Sequence, residues 1–114
     1  MEFDDIMEFS SETTAGTIKI RIMSMTNGLI VLISDSEKFR LGLSAMAIPA
    51  GQGRSGPTSI GFFTKDIDST LVRTLAERLA SLTNQTCMLI FGMSSPTREL
   101  VMELISVLKD HLLT

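Results

Sequence analysis

The stretch IKIRIMSMTNGLIVLIS, residues 18–34, decides the fold of this chain. Its first half alternates isoleucine with other residues, and this period of two predicts a strand with one buried face. Asn27-Gly28 separates it from a second apolar run, which is the strongest short signal for a hairpin with a type I′ turn and a positive φ at both central residues. The returning segment LIVLIS, 29–34, is apolar on both faces. The stretch therefore predicts two antiparallel strands joined by a tight turn.

The rest of the chain predicts two more strands, a helix, a further strand and a last helix. The first helix begins at Asp66 or Asp68 and ends at Thr83-Asn84, and the second begins with Pro96 at its first helical position. The predicted strands are FRLGLSAMAI (39–48), TSIGFFT (58–64) and TCMLIFGM (86–93). The order β-β-β-β-α-β-α predicts an α+β domain, in which two helices pack on one face of an antiparallel sheet. Residues 1–16 are predicted to be a flexible N-terminal segment and residues 17–114 a single domain.

Composition narrows the classes of partner and compartment. The chain has 114 residues, a net charge of -3 and a pI near 5.0, which argues against nucleic acid as a partner. Its longest apolar run, 29–33, is far shorter than a membrane span, and the acidic N-terminus does not resemble a signal peptide. The single cysteine fits a reducing compartment. These features predict a cytoplasmic protein without a membrane partner, with the nucleus as an alternative location.

The loop GQGRSG, 51–56, matches the glycine fingerprint of dinucleotide-binding enzymes. That site needs a helix that begins within the glycines, whereas here Pro57 and another strand follow. The strand–loop–strand context favours an inter-strand loop over a nucleotide site, and no cofactor is predicted. Its Gln52, Arg54 and Ser55 are instead candidates for contact with a protein partner.

No set of residues in the sequence is typical of catalysis or metal binding. His111 is the only histidine, and its place in the last turn of the second helix suits a cation there. Cys87 lies between apolar neighbours and is predicted to be an inert core thiol. The carboxylates near the turns are ordinary solvated groups. We therefore predict no enzyme activity and no metal.

One face of the predicted sheet has no cover within the chain. If Ile18, Ile20 and Ile22 face the helices, the alternate residues face away, and two helices can cover only one face. That second face combines methionine and isoleucine with a basic edge, and methionine suits adaptable interfaces. The alternative is that the N-terminal segment folds over it. The predicted dimer interface consists of Lys19, Arg21, Met23, Met25, Ser44, Met46, Met88 and Ile90.

Several stretches, in order and without large gaps, resemble the proteasome assembly chaperone 4 family over about residues 18–113. LAERLASLTNQ, 75–85, is similar to a helix-to-turn segment of that family, and the matching positions are Leu75, Ala76, Arg78, Leu79, Ala80, Thr83 and Asn84. IMSMTNGLIVLI resembles its first hairpin at Met23, Thr26 and Leu29, while LSAM (43–46) and TSIGFF resemble its next two strands.

The resemblance implies a non-enzymatic chaperone that pairs with the related assembly chaperone 3 and promotes assembly of the 20S proteasome α ring. It implies contacts with proteasome α subunits, and leaves open whether the chain forms a homodimer when alone. The alternative is a dimerising scaffold of the roadblock or longin type in signalling or trafficking. An enzyme is the third hypothesis.

Overall fold

A computed structural model describes residues 6–51, 56–62, 66–93 and 96–112. They form an α+β fold, as predicted, in which six strands make one sheet. The elements are β1 (Ile6–Thr13), β2 (Gly16–Met25), β3 (Gly28–Ser34), β4 (Leu43–Ile48), β5 (Thr58–Phe62), α1 (Asp66–Thr83), β6 (Thr86–Gly92) and α2 (Arg98–Leu112).

The sheet has the order β1-β2-β3-β6-β4-β5. All strand pairs are antiparallel except β3 and β6, which are parallel. A long segment of chain that contains α1 connects these two strands. A parallel pair needs such a crossover, whereas antiparallel neighbours need only a short turn. The sheet is therefore mostly antiparallel, and it contains one strand more than the sequence predicts.

The additional strand, β1, corrects the prediction of a flexible segment over residues 1–16. Residues 6–13 pair with β2 along their whole length, and residues 1–5 lie outside the described residues. The alternative, a segment folded over the second face, is also wrong for residues 6–13, because β1 extends the edge of the sheet. The polar sequence of residues 6–13 led to the prediction of a flexible segment. An edge strand tolerates such a sequence, because it borders only one other strand and its side chains reach solvent.

The core lies between one face of the sheet and the two helices. In register across the sheet, Ile22, Val31, Leu89 and Ala45 stand side by side, and each is at most 3% exposed. Leu75 and Leu79 of α1 and Leu104 and Leu108 of α2 are fully buried in the same cluster. α1 packs over β4 and also contacts β5 and β6, so the predicted placement of both helices on one face is confirmed.

The first hairpin forms where the sequence predicts it, but the prediction of a type I′ turn with positive φ at Asn27 and Gly28 was wrong. Met25 pairs with Gly28, so the two loop residues are Thr26 and Asn27, and neither has a positive φ. Gly28 is the first residue of β3, and a Cβ there would lie 2.4 Å from the carbonyl oxygen of Thr86. The glycine is needed for the close approach of β6, which lies far away in sequence.

Two further boundaries differ from the prediction. The third predicted strand begins at Leu43 and not at Phe39, because residues 40–42 cross the end of β6: the Arg40 Nε donates a hydrogen bond of 2.9 Å to the carbonyl oxygen of Gly92. α2 begins after Pro96, with Thr97 as its N-cap, whose Oγ1 accepts a 3.1 Å bond from the Leu100 amide. α1 ends as predicted, with Asn84 in the left-handed region at φ 53°.

Candidate functional site

The face of the sheet opposite the helices, called here the open face, is the candidate site. The strand register aligns one apolar side chain from each strand in a single row across all six strands. We call it the central row: Ile6, Met23, Ile30, Met88, Met46 and Ile60, in sheet order. Neighbouring strands are about 4.8 Å apart, so the row is roughly 25 Å long.

The side chains of the central row are less buried than those of the core. Ile60, at the outer end, is 56% exposed, and the other members are half-buried by contact with one another. Met25 lies on the same face beyond Met23 and is 39% exposed. Asn27, Gly28, Thr86 and neighbouring methionines line a shallow depression beside it. Apolar surface that is contiguous over six strands is unusual for a face turned to water, and large apolar patches of this kind are typical of interaction sites.

The second row of the open face is polar at one end and apolar in the middle. In sheet order it consists of Glu8, Arg21, Leu32, Ile90, Ser44 and Phe62. Ser44 belongs to the predicted interface but is only 7% exposed, and its hydroxyl donates to the carbonyl oxygen of Gly42 at 2.9 Å. Ser44 therefore contributes packing to this face and not a free hydrogen-bonding group.

A charged corner, consisting of Glu8, Lys19, Arg21 and Phe39, closes the β1–β2 end of the open face. The Arg21 Nη2 lies 2.6 Å and the Lys19 Nζ 3.2 Å from the two carboxylate oxygens of Glu8. Hydrogen bonds from Arg21 and then Lys19 hold the pKa of Glu8 below its usual value. The Phe39 ring, from the β3–β4 loop, lies 4.8 Å from the Arg21 Cζ and 5.7 Å from the Lys19 Nζ. Among these four residues one carboxylate faces two cations, and Asp35 and Glu37 line the depression beside Lys19.

The structure places all eight predicted interface residues on the open face, and it adds members that sequence reasoning missed. Ile6 was missed because β1 was read as a flexible segment. Ile30, Leu32 and Ile60 follow from the alternation of their strands, but LIVLIS is apolar on both faces, so its sequence does not indicate which face points away from the helices. The signal for Ile30 was present, since the hairpin register pairs it with Met23.

The glycine loop has the context that the sequence predicts, with β4 before it and β5 after it. Its Gln52, Arg54 and Ser55 lie outside the described residues, so their contact with a partner stays a prediction. The helix that follows, α1, begins only at Asp66, beyond β5.

The single cysteine and the single histidine both pack against other parts of the fold. Cys87 is fully buried, and burial raises the pKa of its thiol to about 12. His111 stacks on Phe9 with ring centroids 3.7 Å apart and tethers β1 to α2. Over the described ranges, no three His, Cys, Asp or Glu side chains are grouped so that they could hold a metal ion. None of the helices in those ranges is both long and apolar enough to cross a membrane.

Comparison with known proteins shows a similarity of fold. No protein-family model matches the chain, and no curated protein matches it. Its fold is similar to that of a chain in the crystal structure of a chaperone complex for yeast 20S proteasome assembly, with a TM-score of 0.62 and 19% sequence identity. The match covers 95% of this chain and 93% of that chain. At this identity the similarity establishes that the two chains share a fold.

Proposed function

We propose that this protein is a non-catalytic assembly chaperone for the 20S proteasome and that its open face binds a related small chaperone. The resulting heterodimer promotes assembly of the α ring through contacts with α subunits. The observation that carries the proposal is the central row, an apolar strip across all six strands of the uncovered face. The shared fold with a chain of the yeast chaperone complex supports the choice of process.

The open face has the size and chemistry of a sheet-on-sheet interface. Two sheets that pack face to face interdigitate their inner side chains, as the methionines and isoleucines of the central row can do. A standard interface buries about 800 Å² on each partner, which a face of six strands can supply. The charged corner lies at the rim of this patch, where charges favour orientation and specificity over affinity.

The chemistry of the open face supports binding over catalysis. Glu8, the carboxylate at one end of the second row, is paired with two cations that lower its pKa, which makes it a poor general base. The buried hydroxyl of Ser59 lies on the opposite face, where it bonds Glu77 and accepts from the Arg73 Nε at 3.0 Å. This triad connects β5 to α1 and contains no histidine to activate the serine.

Capture from an extract of the source cells, followed by mass spectrometry, tests the proposal. The bait is the parent protein, with Met46→Asp in the middle of the central row as the disrupting variant. Met102→Asp, at a 59% exposed methionine on α2, is the matched control. We expect proteasome α subunits and one small companion with the parent and the control, and neither with Met46→Asp.

The expected loss is large because the variant leaves a carboxylate unpaired inside an apolar contact. Such a group costs several kcal/mol, which changes a nanomolar pair into a micromolar one. Circular dichroism should show Met46→Asp folded, since the open face is solvated in the isolated protein. Capture of GTPases or membrane-trafficking subunits would favour a roadblock- or longin-type scaffold, and retention of the companion by Met46→Asp would exclude the open face as its binding site.

A further inference from the structure

The two edges of the sheet are protected to different degrees. The outer strand β1 carries Glu8 and Glu12 and is tied to α2, where the Thr14 Oγ1 donates a 2.6 Å hydrogen bond to Glu103. Charged side chains on an edge strand discourage pairing with another chain. The opposite outer strand, β5, reads TSIGF and contains no charged residue. Only β5 therefore offers an edge without a charged side chain.

Nothing in the described part of the chain covers the outer side of β5. α1 packs mainly over β4 and contacts β5 on its inner face, where Glu77 and Arg73 bind Ser59. β5 is last in the sheet order, so alternate N–H and C=O groups of its backbone point away from β4. Such a row of groups is a template for a further strand.

The side chains of β5 add an apolar contact to this backbone template. Ile60 is the middle residue of the five and is 56% exposed, and the central row ends at it. Next to it, Met46, Ile48, Thr58 and Ile60 line a shallow depression with an almost entirely apolar wall. A strand added here would continue the row if it placed an apolar side chain opposite Ile60.

We propose that the β5 edge pairs with the β5 edge of a second copy of this chain, antiparallel and centred on Ile60. A second copy fits because the strand is complementary to itself: Ile60 meets Ile60, Thr58 meets Phe62, and no like charges are opposed. The pairing joins two central rows into one apolar row across twelve strands. It uses the backbone edge of β5 and, of the open face, only the outermost residue Ile60, and so does not require the face-to-face contact of the proposed function.

The contact is small, because one five-residue strand buries much less than the area of a standard interface. The association is therefore weak and reversible. It becomes significant where two copies are held close together, as they are when each copy binds a neighbouring site on one assembly.

Disulfide trapping tests the pairing and its register. Directly opposed residues in an antiparallel pair have Cα atoms about 4.5 to 5.5 Å apart, within the range of a disulfide, whereas sheets packed face to face are about 10 Å apart. We expect Ile60→Cys to form a covalent dimer under mild oxidation at least tenfold faster than Met102→Cys, the control at a similar exposure of 59%. Cys87 does not interfere because its thiol is fully buried.

The register gives a second measurement that nonspecific collision cannot reproduce. Thr58→Cys mixed with Phe62→Cys should form the mixed disulfide dimer faster than either variant alone forms its own dimer. The Ile60→Cys dimer should persist when Met23→Asp, at the other end of the open face, is added, so the two proposals fail independently. Rates for Ile60→Cys no higher than for Met102→Cys, or no preference for the mixed dimer, would overturn the proposal.

Discussion

The two faces of the sheet differ in what covers them: the helices pack on one face, and no described element of the chain packs on the other. In β6 the side chains of Cys87, Leu89 and Phe91 are fully buried under the helices, whereas Met88 and Ile90 between them are half-buried on the open face. All five side chains are apolar and consecutive in sequence. Strand alternation directs them to opposite faces, and the helices lie on only one of these. The same composition therefore stabilises the monomer on one face and remains available for binding on the other.

The difference also explains which residue types occupy each face. The buried cluster under the helices consists mostly of isoleucine, valine, leucine, alanine and phenylalanine, which pack at high density, with Cys87 and Met93 as the exceptions. The central row contains three methionines, whose flexible thioether chains can adapt to a partner and shield one another when the partner is absent. Such side chains would suit the proposed function, in which this face forms and loses contacts.

Thiol labelling should give the largest contrast between the faces. In Met88→Cys the introduced thiol lies on the open face. Its neighbour in sequence, Cys87, lies on the other face, where burial raises the pKa of the thiol to about 12. At pH 8 an ordinary thiol near pKa 8.5 is about a quarter thiolate, so the two thiols should react at rates that differ by about a thousandfold. Stoichiometric labelling followed by peptide mapping measures this. Equal rates in folded protein would mean that the assignment of the two faces is wrong.

Removing a large side chain under the helices should cost the most stability. Leu79 on α1 is fully buried, so Leu79→Ala should lower the free energy of unfolding by about 2 to 5 kcal/mol, because it loses buried surface and leaves a cavity. Urea unfolding measures it, with Met102→Ala on the exposed side of α2 as a control that should stay within about 0.5 kcal/mol. A neutral Leu79→Ala would place α1 away from the core.

Adjacent truncations in β6 sharpen the same comparison. Leu89→Ala should cost as much as Leu79→Ala, whereas Ile90→Ala should cost only about 1 kcal/mol in the isolated protein, because its side chain is already partly in water. The effect on affinity for the captured companion should have the opposite order, with Ile90→Ala weakening the complex more than Leu89→Ala does. If Ile90→Ala destabilises the monomer as strongly as Leu89→Ala does, the open face belongs to the monomer core.

The assignment of side chains to the two faces could be predicted because it depends on local alternation. A period of two in residues 18–22 separates Ile20 from Arg21, whereas residues 87–91 are all apolar, and there the geometry of a strand by itself puts Leu89 and Ile90 on opposite faces. The apolar helix positions Leu75 and Leu79 follow from the period of 3.6 in the same way. Both kinds of pattern lie within one element, so no knowledge of its neighbours is needed.

Long-range features could not be predicted in this way. The parallel pairing of β3 with β6 joins segments separated by α1, and only that pairing aligns Ile30 with Met88 in the central row. Gly28 suggested a type I′ turn, but the approach of the Thr86 carbonyl oxygen explains it. β1 remained hidden because its alternating polar residues suit an edge strand and a flexible segment equally well. These features depend on contacts between distant residues, which leave no local period.

Substitution in the charged corner should have the smallest effect on stability, and the pH dependence of that effect should distinguish a contribution of charge from one of packing. The pKa of Glu8 is below the ordinary value of 4.5 in the folded protein, because Arg21 and Lys19 bond its charged form. A group whose pKa is lowered on folding contributes stability above its unfolded pKa and loses it as pH falls through the folded pKa. Glu8→Gln should therefore be less stable than the parent at pH 7, and the difference should shrink as the pH falls below 4.5 and through the folded pKa.

Because this carboxylate is exposed to solvent, salt screens the interaction, and 1 M NaCl at pH 7 should reduce the same difference. Urea midpoints of the parent, Glu8→Gln, Arg21→Gln and the double variant, measured across this pH range, give the coupling between Glu8 and Arg21 as a double-mutant cycle. A difference between the parent and Glu8→Gln that is the same at pH 3 and pH 7 would show that the glutamate contributes packing at the edge of the open face and not charge. The corner would then be an extension of the apolar face.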